Sequence, residues 1–111
     1  MSPHVALAQT ADSTLVGHWK FDECQGTSTY DSSGNSNTGT ITPGAGGQTA
    51  VGTCTGSAGT LWKDGATGKY NSSLDFDGTD DYIAAPSGTT TNLNITGNLS
   101  IFTWIKTSSN N

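Results

Sequence analysis

Apolar and polar residues alternate along this chain in short runs, each about the length of a β-strand. Residues 15–22, LVGHWKFD, place Leu15, Gly17, Trp19 and Phe21 on one face and Val16, His18 and Lys20 on the other. That spacing predicts a first strand whose two aromatics enter a core. Residues 38–42 predict a short strand centred on Ile41 and stopped by Pro43-Gly44. In residues 73–84, Leu74 and Phe76 share a face, Asp77-Gly78 is a strong turn signal, and Tyr82 and Ile83 give the return run its bulk. The pattern predicts a β-hairpin. Residues 99–106, LSIFTWIK, carry apolar bulk on both faces, which predicts a central strand covered on both sides. Residues 45–60 hold few large apolar side chains and predict a long, weakly packed surface loop, with Leu61-Trp62 as its anchor. No stretch repeats apolar residues at helical spacing over three turns. The predicted class is therefore all-β, and the regular turn signals point to an antiparallel sandwich or barrel.

Composition narrows this picture. A chain of 111 residues allows one domain. Its charged fraction of 12% is too low for a disordered acidic tail, and its 15 glycines suit many turns between short strands. The net charge of −5, with four lysines and no arginine, excludes the phosphate-neutralising clusters that nucleic acid requires. Binding to an anionic membrane surface is disfavoured for the same reason. No apolar run reaches the roughly 18 residues of a membrane span, so no membrane insertion is expected. Residues 1–13, MSPHVALAQTADS, read as an N-terminal arm. Ala6-Leu7-Ala8 has the small-x-small form of a signal-peptidase site, but the basic start and long apolar run of a full signal are missing. An ordinary polar arm and the remnant of a signal peptide both fit.

The chemistry-bearing residues fall in two loops. Asp75, Asp77, Asp80 and Asp81 lie within seven residues with no basic residue among them. Such a cluster repels itself unless a cation is near, so it is either a solvated acidic turn or a cation site. In the loop 31–37, oxygen-bearing side chains alternate at Asp31, Ser33, Asn35 and Asn37, as in the first half of a calcium loop. An EF-hand is excluded, because its required Gly falls on Ser36 and its bidentate Glu on Thr42. Asx-turns closed by Asp31 and Asn35 explain the same residues. Cys24 and Cys54 are the two cysteines; their separation rules out a CxxC motif, and no histidine lies near enough to suggest zinc. A disulfide is the economical reading in a secreted chain, with two free thiols as the alternative. No GxSxG elbow accompanies His4 or His18, and no Gly-rich phosphate loop precedes a helix.

The segments LVGHWKFDE, YDSSGNSNTGTI, GKYNSSLDFDGTDDYIAAP and LNITGNLSIFTWIKTS, in that order, resemble the successive signatures of a laminin-G-like jelly-roll domain. That family belongs to the concanavalin A-like lectin/glucanase superfamily, and the resemblance runs over residues 14–111. It implies two antiparallel sheets packed face to face. It also implies that the chain is the N-terminal part of such a domain, since the family continues with more strands after IFTWIK. Unpaired strand edges and self-association are then expected. The implied function is non-catalytic recognition of a carbohydrate or an extracellular protein ligand, on a secreted or cell-surface protein. Trp62, Tyr70 and Tyr82 are the candidate sugar-stacking aromatics, with core packing as the competing role of each. The resemblance implies a Ca²⁺ ion at Asp31, Asn35, Asp77, Asp80 and Asp81. A glycoside hydrolase fragment and a purely structural spacer are the alternatives. The glucanase strand needs two glutamates, and Glu23 is the one glutamate here.

Overall fold

A computed structural model describes residues 14–55, 58–65, 71–88 and 92–107. The N-terminal arm and Tyr70 lie outside the described residues. Among those described there is no helix, and hence none long and apolar enough to cross a membrane. Five short strands run in order: β1 (Ser28–Thr29), β2 (Gly39–Thr42), β3 (Trp62–Lys63), β4 (Ser73–Leu74) and β5 (Tyr82–Ala84). They form a three-stranded sheet, β1-β2-β5, and a two-stranded sheet, β3-β4, with every pairing antiparallel. The described residues are all-β, as the pattern predicts.

The core is small. Ile41, Leu61 and Trp62 are buried, and Phe21, Val51, Cys54, Leu74 and Ile83 pack against them. Alternation in β2 sends Gly39 and Ile41 inward and Thr40 outward, so the predicted strand around Ile41 is present. Ile41 stands opposite Ile83 of β5, and Trp62 opposite Leu74 of β4, so each sheet contributes a cross-strand apolar pair to the core.

Four expectations are corrected. Residues 15–22 form no strand; Trp19 makes one isolated antiparallel bridge to Asp31, and Phe21 takes φ +59°. The backbone groups that a neighbouring strand would have paired are largely taken by side chains of the 31–37 loop. His18 N donates to Asp31 Oδ1, while Val16 O accepts from Ser33 Oγ and from the amide groups of Asn35 and Asn37. Trp19 Nε1 donates to Asn37 O at 2.7 Å, closing the arrangement.

The predicted hairpin is likewise absent, although its turn is real, with Gly78 at φ +82°. Its arms diverge, β4 to β3 and β5 to β2. Leu74 packs on the core, while Phe76, past the point of divergence, is 44% exposed. Residues 45–60 are held by the expected Leu61-Trp62 anchor but are less weakly packed than expected. Leu61 N donates to Ala50 O and Trp62 N to Val51 O, and Val51 reaches the core. Finally, residues 99–106 form no strand and are exposed along their length.

Candidate functional site

Asp31 acts as a backbone clasp. Its Oδ1 accepts from His18 N and Ser33 N, both at 2.8 Å, and its Oδ2 from Asn37 N at 2.9 Å. Burial raises the Asp31 carboxyl pKa, but the hydrogen bonds from Ser33, His18 and Asn37 outweigh it and hold the group below its ordinary 3.8. Asn35 uses its amide on Leu15 O and Val16 O, and its Oδ1 accepts from Asn92 Nδ2. These contacts give both residues a structural task in joining residues 15–19 to the loop.

A lowered folded pKa stabilises above the unfolded value and is lost as pH falls through the folded one. Asp31→Ala is expected to cost about 2–3 kcal/mol near neutral pH, because it strands three backbone donors. The gap between wild type and variant in urea titrations should close as pH falls below 3.8. A gap that is constant with pH would show that the carboxylate charge contributes nothing.

The acidic turn fastens a second loop. Asp81 Oδ1 accepts from Gly44 N, Asp80 Oδ2 from Ala45 N, and Asp77 Oδ2 from Gln48 N. Within the turn, Asp81 Oδ2 accepts from Asp77 N and Asp77 Oδ1 from Thr79 N. The Thr79 N–H is the largest influence on the Asp77 carboxyl; with Gln48 N–H it holds that group below its ordinary value against a burial penalty. Glycine is favoured at 47, where φ is +58° and a Cβ would strike Asp77, while a Cβ at 44 would displace the Asp80 carboxylate. Oxygens of Asp77, Asp80 and Asp81 lie within 4.8 Å of one another, so the three form one group with metal-ligand spacing. Asp31 is not part of it. Asp75 instead sits 4.0 Å from Lys63 Nζ.

The aromatic candidates separate. Trp62 is 0% exposed and donates from Nε1 to Gly26 O at 2.9 Å, so its ring has no free face and serves the core. Tyr82 is 55% exposed on β5. A further aromatic, Tyr30, is 63% exposed and lines an open groove of about 630 Å³ with Glu23, Gln25, Gly26, Gly52 and Thr53. Sequence reasoning missed Tyr30. Its signal was the alternation of β1, where Thr29 turns fully inward and sends the next residue out.

The Cys24–Cys54 disulfide joins the two walls of this groove. Cys54 N donates to Cys24 O and Gln25 bridges Thr53 beside it. Cys24 adopts φ +58°, a sparsely populated conformation for a residue with a Cβ. Glu23 Oε1 accepts from Tyr30 N at 2.7 Å, while its Oε2 is buried with no donor on it. The groove thus offers an aromatic face, an amide and a hydroxyl, with the Glu23 carboxylate in its wall. No family model, curated protein or solved structure matches this chain.

Proposed function

We propose that the chain is a non-catalytic recognition module of a secreted or cell-surface protein, with carbohydrate as its ligand. In this reading the two antiparallel sheets belong to a laminin-G-like jelly-roll sandwich. The observation that carries the ligand class is the groove in which Tyr30 stands exposed beside Glu23, Gln25 and Thr53. A sugar lays its C–H face on an aromatic ring and directs its hydroxyls to surrounding acceptors and donors. Glycoside hydrolysis by the usual route takes two carboxylates, and Glu23 is the one carboxylate lining the groove among the described residues, so binding is the chemistry these residues favour. The disulfide between the walls and the absence of a membrane-crossing helix among the described residues are compatible with an extracellular protein.

Ca²⁺ belongs to the same reading, at Asp77, Asp80 and Asp81. The three carboxylates are hard oxygen donors, and each oxygen that accepts one N–H keeps a second lone pair for an ion. The ion would neutralise the turn and stiffen the 43–48 loop.

The test is a glycan array followed by titration of the strongest hit. Tyr30→Ala is expected to weaken binding about tenfold or more, and Tyr82→Ala to leave it unchanged. Loss with Tyr82→Ala alone would move the site to β5. An array with no hit would favour the structural spacer. Melting in Ca²⁺ against EDTA reads the ion separately, with a higher midpoint expected in Ca²⁺; equal midpoints would remove it from the proposal.

A further inference from the structure

Asparagine is used in two ways along this chain. Asn35, Asn37 and Asn92 spend their side-chain amides inside the fold. Asn35 Nδ2 donates to Leu15 O and Val16 O, Asn37 Nδ2 to Val16 O, and Asn92 Nδ2 to Asn35 Oδ1. None of these three has a Ser or Thr two positions on.

Asn94 and Asn98 are the opposite case. Each opens an Asn-x-Ser/Thr triplet without proline, Asn94-Ile95-Thr96 and Asn98-Leu99-Ser100. That triplet is the acceptor motif for an N-linked oligosaccharide, a bulky group that only a surface segment accommodates. Both asparagines are exposed, and so are Thr96 and Ser100, whose hydroxyls complete the motif. No hydrogen bond among the described residues engages either asparagine amide.

The local backbone suits such a substituent. Ile95 N donates to Leu93 O at 2.9 Å, which closes a three-residue turn with Asn94 at its tip. Asn98 follows a bend at Gly97. Residues 92–100 belong to no strand, so a branched sugar on either amide displaces no ladder hydrogen bond. None of them contributes to the core around Ile41, Leu61 and Trp62.

A third triplet, Asn71-Ser72-Ser73, is placed differently. Asn71 Nδ2 donates to Asp22 Oδ1 at 3.2 Å, Ser72 is buried with its Oγ on Phe21 O, and Ser73 begins β4. A glycan there would compete with Asp22 for the same nitrogen.

We infer that Asn94 and Asn98 are acceptor sites for N-linked oligosaccharide. The donor is an oligosaccharide carried on a lipid pyrophosphate. Asparagine Nδ2 forms a bond to the anomeric carbon and gives up one proton, while the anomeric carbon–oxygen bond breaks and the lipid pyrophosphate leaves. The step is neither an oxidation nor a reduction. The inference rests on the secreted or cell-surface reading for the chain's encounter with that donor. It is separate from the Tyr30 groove, which neither asparagine lines.

The full chain, secreted from a eukaryotic cell behind a leader peptide, supplies the test. Its intact mass is expected to lie two glycan steps above the 11.4 kDa polypeptide, with both steps lost on digestion with peptide-N-glycosidase. That digestion leaves Asp where a glycan stood, so peptide mass spectrometry locates the occupied positions. Asn94→Gln and Asn98→Gln are each expected to remove one step. Thr96→Ala and Ser100→Ala should do the same with the asparagine still present, which a merely structural role of Asn94 or Asn98 would not produce.

A secreted chain of bare polypeptide mass would overturn the inference, as would glycan confined to Asn71 or occupancy indifferent to Thr96→Ala and Ser100→Ala. Occupancy of one position alone would overturn it for the other. Near-ultraviolet circular dichroism equal to that of the sugar-free chain is expected, since the folded state has room for both glycans; a lost tertiary signal would count against it. A glycan array probed with the sugar-free chain reads the Tyr30 groove by itself, so failure of either reading is seen apart from the other.

Discussion

Trp62→Ala is expected to lower stability by about 3–5 kcal/mol, the range for deleting a buried indole from a packed core. The native state of a small domain is stable by only about 5–15 kcal/mol, so this loss leaves a marginal fold or none. The effect is large because Trp62 holds three things at once. It is the largest of the three core side chains, its Nε1 closes on Gly26 O, and its backbone starts β3 while donating to Val51 O. Truncation opens a cavity between the two sheets that Ile41 and Leu61 are too few to refill. Trp62→Phe separates packing from hydrogen bonding. It keeps much of the volume and leaves Gly26 O without its donor, at a cost of about 1–3 kcal/mol. Urea midpoints of the two variants against wild type measure both. Equal midpoints for wild type and Trp62→Ala would mean that the core lies elsewhere.

Reducing the Cys24–Cys54 disulfide is expected to cost about 3–4 kcal/mol, the chain-entropy value for a loop of this length. The bridge spans 30 positions of sequence, most of them in short strands and loops. Opening it restores to the unfolded chain the freedom that the bridge removed. It also frees the walls of the Tyr30 groove, since Cys24 and Cys54 carry the Glu23–Gly26 and Gly52–Thr53 sides. Melting with and without reductant, and in Cys24→Ala/Cys54→Ala, should show the same large drop. A midpoint indifferent to reductant would leave the bridge without a stabilising role.

The two large effects share a cause. With Ile41, Leu61 and Trp62 as its buried apolar residues, the described fold has little hydrophobic reserve. Much of its organisation comes from carboxylates and amides holding backbone N–H and C=O groups. Asp31 holds residues 18, 33 and 37, and the acidic turn holds residues 44, 45 and 48. Such contacts are directional and individually modest, and those of Asp31 and Asp77, whose carboxyls are held below their ordinary value, are lost in acid.

Read alone, the sequence determined what is local. The alternation around Ile41 specified a strand and its inward face. Asp77-Gly78 specified a turn, because a glycine accepts positive φ without strain. The absence of helical spacing specified an all-β chain, and two cysteines in a low-charge chain pointed to the bridge that is present. Tertiary structure alone decided which backbone groups meet. Alternation says that a run is extended, not what it pairs with, so β4 and β5 turned to β3 and β2 rather than to each other. Residues 15–22 have the pattern of a strand but lie against a loop whose Asp and Asn side chains take hydrogen bonds a neighbouring strand would have made. Tyr30 became a groove residue because the disulfide brings Gly52 and Thr53 beside it, from more than twenty positions away. Each of these outcomes is a competition among partners distant along the chain, and only position in space decides it.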